Sequence, residues 1–266
     1  MSRFAPQVLR GDPRWLESLA GELESSARDA RKGRGFRSSG GTSVFVKYGP
    51  LRGRSRLRHA LRRALGLSEL PRIQEFENLD WLRDSGFGAP RPLAAGVAGS
   101  QYLASFQFLV TEQVRSTQTL AEFFGKGRTE KRSDVLELLG RELARLHALG
   151  FVHRDLFLRN LLIQEEGGAL QIFFLDAWRG VPRTRSGGLR GPEYDVACLM
   201  LEGATAFDRD EQRLFLHSYE VERGSRGHSL SRTTFFRRTE KLRRAVLARE
   251  GRRRDEQFAP SWTPPF

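Results

Sequence analysis

The sequence predicts an α+β chain of two lobes, a small antiparallel-sheet lobe followed by a mainly helical one. Three observations predict it. Strand-like runs at Val44–Tyr48, around Arg91–Val97 and over Tyr102–Thr111 fall in the first part, with helical text between the first two. From about Ser133 the pattern turns helical and stays so to about Arg249, broken by one short hairpin. The chain has 266 residues, 39% of them hydrophobic, with 19 Phe and 4 Trp, enough for a sizeable core but not for an array of domains. The division expected is a helical flank over 1–30, the sheet lobe over 31–113, the helical lobe over 114–250 and a poorly ordered tail over 251–266.

Asp12-Pro13 predicts a helix start, with Asp as N-cap and Pro at the first helical position. Trp15, Leu16, Leu19 and Leu23 carry the apolar spacing of that helix to about Arg28. Gly33 to Gly41 is rich in Gly and Ser, and Gly40-Gly41 reads either as part of a phosphate-covering loop or as a plain hairpin turn. The strand Val44-Phe45-Val46-Lys47-Tyr48 then turns Val44 and Val46 one way and Phe45 and Lys47 the other, until Gly49-Pro50 stops it.

Residues 52–67 read as a basic amphipathic helix with Leu57, Leu61 and Leu65 every four residues and six arginines mostly flanking them. The helix after Pro71 carries Ile73, Phe76, Leu79 and Leu82 on one arc, and Gly86 to Pro92 ends it. Further on, Ser133 is the expected cap of a helix with Leu136, Leu139, Leu143 and Leu146 inside, terminated by Gly150. Leu161–Gln164 and Leu170–Leu175 flank a turn at Glu165–Gly168, and helical text resumes at about Tyr194.

Composition removes several function classes. A single cysteine, Cys198, rules out an intramolecular disulfide and a cysteine-based zinc site, and it fits a reducing compartment. No secretory signal is visible in residues 1–30, and no run nears the roughly 20 apolar residues of a membrane span. Charge is the odd quantity: the net value is +13, and only five of the 45 basic residues are Lys. Such a chain attracts a polyanion. No motif for reading DNA or RNA and no basic–aromatic interleaving is present, so anionic lipid or a phosphorylated substrate is the better expectation.

The most informative run is His153-Arg154-Asp155-Leu156-Phe157-Leu158-Arg159-Asn160, between a capped helix and a hairpin whose second strand ends at Asp176. Phosphoryl transfer asks a protein for positioning, for Mg²⁺ ions against the phosphates and for a carboxylate that orients the attacking hydroxyl. Asp155 suits the last task, and Asn160 with Asp176 suits the metal. Upstream, Glu75 lies inside the apolar arc of its helix, and an unpaired carboxylate there is costly, so a cation must meet it. Lys47 is the economical partner. Glu77 and Asp80 lie nearer the edges of that arc.

In that order, from about residue 34 to residue 220, the chain resembles the protein-kinase-like fold. More narrowly it resembles the bacterial lipopolysaccharide core kinases, the Kdo- and heptose-phosphorylating enzymes of the KdkA/WaaP/InaA type. The residues that carry this are Val44-Phe45-Val46-Lys47, Glu75-Phe76-Glu77-Asn78-Leu79, Gly88-Ala89-Pro90-Arg91-Pro92 and Val110-Thr111-Glu112 at the hinge. The run from His153 to Asn160 and Phe174-Leu175-Asp176-Ala177-Trp178-Arg179-Gly180 complete it. The resemblance implies ATP as donor, with Mg²⁺ or alternatively Mn²⁺. By it Lys47 contacts phosphates, Glu75 holds Lys47, Glu112 lies at the nucleotide and Asp155 is the base. Asn160 and Asp176 are then metal ligands, while His153, Arg154 and Asp195 support the loop.

Two departures narrow the acceptor. Ala177-Trp178 follows the metal-binding Asp where protein kinases have Phe-Gly, and only about twenty residues separate Asp176 from Asp195. Both argue against a regulated protein kinase and for a small-molecule or glycolipid acceptor, with Arg183, Arg185 and Arg190 placed to meet its anionic groups. The alternatives are a soluble small-molecule or atypical Ser/Thr kinase on the same fold and a pseudokinase adaptor. Arginines 52–63 and the basic C-terminal helices are expected to hold the enzyme on the cytoplasmic face of an anionic inner membrane.

Overall fold

A computed structural model describes residues 5–39, 41–66, 69–99, 103–115, 117–127, 130–180, 191–228 and 231–250, together with 258 and 262–265. Two compact units divide the chain. One comprises Met1–Arg115 with Ala177–Arg179, the other Ser116–Asp176 with Gly180–Phe266.

The first unit is built on five antiparallel strands: β1 (Pro6–Gly11), β2 (Gly33–Ser39), β3 (Thr42–Pro50), β4 (Pro92–Gly99) and β5 (Ala104–Glu112). Their order across the sheet is β1-β4-β5-β3-β2. Helices α1 (Arg14–Glu17), α2 (Ala20–Arg28), α3 (Gly53–Ala64) and α4 (Pro71–Asp84) complete it. Register sorts the side chains. Val46 lies opposite Val110 and Tyr48 opposite Phe108, so these share one face. There Leu19, Leu23 and Ala27 close a core with Val44, Val46, Phe106, Phe108 and Val110. The alternation sends Phe45 and Lys47 to the opposite face, where Arg72 N–H of α4 donates to Gln107 Oε1 at 3.0 Å.

Several expectations are corrected in this unit. Residues 6–11, read as part of a helical flank, form β1 against β4. That strand is a half-exposed edge with no clean alternation, which is why periodicity hides it. Gly96 of β4 permits the pairing, because a Cβ there would lie 1.9 Å from Gln7 O. The predicted flank helix is broken at Ser18–Leu19, and its cap position is Pro13, although Asp12 Oδ1 still accepts Arg14 N–H at 2.9 Å. The Gly/Ser-rich stretch is the strand β2, paired with β3 as far as Ser39↔Thr42. Gly41 has φ +77°, while Gly40 lies outside the described residues. The leucine stripe of α3 faces away from the sheet.

The second unit holds α5 (Leu120–Gly125), α6 (Arg132–Ala148), α7 (Pro192–Ala206), α8 (Arg209–Ser225) and α9 (Arg232–Glu250). A small sheet, ordered β6-β7-β8, joins β6 (Thr117–Thr119), β7 (Leu161–Glu166) and β8 (Ala169–Phe174). Gly167 and Gly168 both have positive φ and make the tight turn between the last two. Leu136, Leu139, Leu143 and Leu146 are fully buried along α6. Close approach of α6 and α8 needs Gly140, since a Cβ there would sit 2.7 Å from Phe215 O.

Ser133 does not cap α6; Lys131 holds the cap position without a side-chain bond. The helix start is fixed instead by buried Arg132, which pairs with Glu211 and donates to Phe124 O, Gly127 O and Ala206 O. The expected disordered tail is corrected at its far end. Trp262 is buried and its Nε1–H donates to Gln212 Oε1 at 2.9 Å, and Phe258 packs on the cluster of Phe157, Tyr194 and Cys198. Residues 251–257, with Arg252–Arg254, lie outside the described residues.

Candidate active site

In the first unit, β3 presents Lys47 to the N-terminal half of α4. Lys47 Nζ donates to Glu75 Oε1 at 2.6 Å, and the Arg72 guanidinium takes the other carboxylate oxygen. The Glu75 side chain is 0% exposed and that of Lys47 13%. Two cations on one buried carboxylate leave excess positive charge on this face, suited to phosphate. The ammonium also lies 5.8 Å from the centre of the Phe45 ring. One turn further along α4, Asn78 is buried in place of an apolar residue, and Phe76 is only half-buried. Asn78 Nδ2 donates at 2.6 Å to Ala177 O, the residue that follows Asp176 in the chain. Glu77 pairs with Arg10 at 2.9 Å and Asp80 is exposed. Glu112 ends β5 with an exposed side chain, its N–H donating to Arg91 O at 2.8 Å.

The second unit carries the loop from His153 to Asn160. Asp195, fully buried in the first turn of α7, accepts the backbone N–H of His153 on Oδ2 and that of Arg154 on Oδ1, both at 2.6 Å. This grip explains the backbone at Arg154, whose φ of +62° is unfavourable for a side chain of its size. His153 Nε2–H donates to Leu175 O at 2.8 Å, and Leu175 N–H donates to Asn160 O at 2.9 Å. The residue before Asp176 is thus held from both sides. Asp176 has φ +54°, a conformation that Asp tolerates better than most residues. Asn160 Nδ2 donates to Asp155 O at 2.8 Å, closing the loop on itself and leaving Asn160 Oδ1 as an acceptor.

His147 backs the anchor. Its Nε2 lies 3.2 Å from Asp195 Oδ2 and its Nδ1 2.7 Å from Tyr219 Oη. Burial holds the imidazole below its ordinary pKa and outweighs the nearby carboxylate, so the ring is neutral. Neutral His147 donates from Nε2 to Asp195 and accepts from the Tyr219 hydroxyl. Burial likewise raises the Tyr219 phenol, keeping its proton in place. Asp195 therefore remains the acceptor of a wholly buried network.

Asn160 and Asp176 supply only oxygen ligands, the donor set a hard cation prefers. Among the described residues no three His, Cys, Asp or Glu gather into a metal site. Within the loop, Arg159 stacks on Phe157 with its guanidinium 3.9 Å from the ring centre and pairs with Glu202. Burial raises the pKa of the Glu202 carboxyl against that pairing. An open depression there, of about 570 Å³, is lined by Phe124, Leu158, Arg159, Glu202 and Phe258.

The lipopolysaccharide kinase (Kdo/WaaP) family model matches residues 14–215. The chain belongs to this family. It is accordingly a kinase, a phosphotransferase acting on a hydroxyl. A 3-deoxy-D-manno-octulosonic acid kinase of Mannheimia succiniciproducens is 27% identical over 178 residues, 61% of this chain and 70% of that one. Its counterpart from Vibrio cholerae serotype O1 is 30% identical over 140 residues, 47% of this chain and 57% of the other. A solved structure, WaaP in complex with acyl carrier protein, superposes with a TM-score of 0.56. It is 19% identical, covering 89% of this chain and 99% of its own. That likeness shows the two-lobed kinase-like fold.

In this family member the structure brings together Lys47 with Glu75, Asp155 with Asn160, and His153 and Arg154 with Asp195. Arg183, Arg185 and Arg190 lie outside the described residues. Sequence reading missed Arg72, Asn78, His147 and Tyr219. For Asn78 a signal existed, a polar residue one turn from Glu75 on the buried arc; for Tyr219, 72 residues beyond its partner, none did.

Proposed function

We propose that the chain transfers the γ-phosphoryl group of ATP to a hydroxyl of Kdo in the lipopolysaccharide inner core. The observation that carries this reading is the loop clamped by Asp195, which holds the backbone of Asp155 and Asn160 in one fixed turn. The Kdo kinases among its relatives favour Kdo as acceptor, and heptose is the second sugar the family name leaves open.

Lys47, aimed by Glu75 with Arg72 behind it, meets phosphate oxygens of the nucleotide, and Glu112 lies where the base enters. Asp155 accepts a hydrogen bond from the acceptor hydroxyl, orients it and takes its proton as the phosphoryl group moves. Asn160 Oδ1 and the Asp176 carboxylate would hold Mg²⁺, or Mn²⁺ in its place, whose charge would neutralise the phosphates. Arg183, Arg185 and Arg190 are proposed to meet acidic groups of the acceptor.

Work at the cytoplasmic face of the inner membrane, with attachment through basic residues, completes the proposal. Among the described residues no helix is long and apolar enough to cross a membrane.

The test is ³¹P NMR and mass spectrometry of lipid A–core from cells with and without the gene. Loss of one phosphate ester, restored by wild type and not by Asp155→Ala, is the expected result. An unchanged glycolipid would overturn the acceptor assignment, and full complementation by Asp155→Ala would overturn the role of Asp155.

A further inference from the structure

Helix α3 is amphipathic in the reverse sense to the other helices of its unit. Its sheet-facing side is polar: half-buried Arg56 donates to Ala104 O at 3.1 Å and to Leu103 O at 2.8 Å, with His59 and Ala60 beside it. Its outer side is the leucine stripe. Leu57 is 66% exposed and Leu61 and Leu65, the last just past the end of α3, each 61%, at i, i+4 and i+8. The three span about 12 Å of helix axis on one side. Core packing therefore does not account for them, and a single row of three exposed leucines is more than scattered surface hydrophobicity.

Charge says what covers them. The helix contains no acidic residue. Arg52, Arg54 and Arg58 are exposed, and among the described residues Arg54 and Arg58 form no ion pair. The basic helix α9 is different. Arg232 pairs with Glu220, Arg238 with Glu193, and Arg243 and Arg244 both with Glu240, so much of its charge is already answered inside the molecule. Of the two clusters expected to meet a membrane, α3 leaves Arg54 and Arg58 without a carboxylate among the described residues and adds an apolar edge.

We infer that α3 lies in the plane of an anionic bilayer, with Leu57, Leu61 and Leu65 inserted below the headgroups and Arg54 and Arg58 at the headgroup phosphates. The leucines enter to the roughly 5–10 Å depth usual for interfacial helices, while Arg56 keeps the helix fixed to β5. This rests on the membrane part of the proposed function and changes its basis, from loose adsorption of many arginines to insertion of one helix.

The experiment is flotation of the full chain with vesicles of equal parts phosphatidylethanolamine and phosphatidylglycerol, without nucleotide or sugar. The result thus stands whether or not the chain phosphorylates Kdo. The triple variant L57S/L61S/L65S is expected to bind about tenfold or more weakly at unchanged net charge. Circular dichroism and turnover of a lipid-free acceptor should match the wild type, since these side chains support no core. R54Q/R58Q should lose binding to these vesicles and leave the weak binding to pure phosphatidylcholine unchanged. Equal binding by wild type and triple variant would overturn insertion in favour of charge adsorption. Failure to float, with capture by a purified acidic carrier protein that the triple variant loses, would overturn it in favour of a protein interface.

Discussion

Replacing Asp195 with Asn tests the anchor of the catalytic loop with minimal change of shape. The carboxylate accepts three hydrogen bonds, two from backbone N–H at 2.6 Å and one from His147 at 3.2 Å. Asn keeps one acceptor oxygen, and its amide N–H₂ confronts a donor it cannot satisfy. One buried N–H left unpaired costs about 1–3 kcal/mol, and the surviving bonds lose their charge assistance. The net loss is about 2–4 kcal/mol, within the roughly 5–15 kcal/mol that folded domains possess. The variant therefore folds. Its loop does not keep its geometry, because the positive φ at Arg154, worth about 1–3 kcal/mol of strain, persists only while Asp195 holds both neighbouring N–H groups. A displacement of about 1 Å at Asp155 lowers kcat by about 10²-fold, while nucleotide affinity, which the proposed function assigns to Lys47 and Glu75, stays near wild type. Denaturant unfolding, single-turnover kinetics and nucleotide titration read the three quantities. Stability within about 0.5 kcal/mol of wild type together with kcat within about twofold would refute the reasoning.

Three further outcomes are expected. Glu75→Gln removes the countercharge shared by Lys47 and Arg72, lowering stability by about 2–3 kcal/mol and weakening ATP binding about tenfold, read by unfolding and by calorimetric titration. Stability falls as pH drops below about 6.5, because the unfolded chain then protonates a histidine that native His147, with its lowered pKa, does not. The His147 contribution is constant above that value, and thermal unfolding between about pH 7.5 and 5.5 should show a slope that His147→Gln flattens. Carboxylates whose pKa is lowered by an arginine, such as Glu211 beside Arg132, begin to cost stability only below about pH 4.5, outside that window. Gly140→Ala forces α6 from α8 and costs about 1–3 kcal/mol in thermal unfolding, leaving the ATP affinity unchanged.

What could be read from the sequence followed physical range. The alternation at Val44–Lys47 and the leucine spacing of α6 are local, and both stand in the structure as read. The Lys47–Glu75 contact joins residues 28 apart, yet it was legible because a carboxylate on an apolar arc demands a cation. Arg72 was hidden because the same argument is satisfied by one partner and does not ask for a second. Strand β1 was hidden because an edge strand needs only one good face, and β2 because glycine and serine read as loop even where a neighbouring strand supplies every pairing partner. Trp262 was lost in a segment whose proline and charge content signal disorder, since its partner Gln212 lies 50 residues away.

The arginines show why charge alone misleads. From the sequence the two basic clusters look alike, with six arginines from Arg52 to Arg63 and six over Arg232–Glu250. Yet Arg243 of that helix is fully buried against Glu240, and a guanidinium in such a place is a structural tie, not a docking group. Arg132 does the same at the start of α6 and Arg159 at the catalytic loop, each held by a glutamate from a distant helix. The acidic partners are what decide the matter, and they are unevenly spread. Helices α7 and α8 supply Glu193, Glu202, Glu211 and Glu220 to arginines elsewhere in the second unit, whereas α3 contains no acid at all. Among the described residues, Arg54 and Arg58 on α3, a short helix beside β5, therefore carry positive charge without an acidic partner, and there it coincides with exposed leucine.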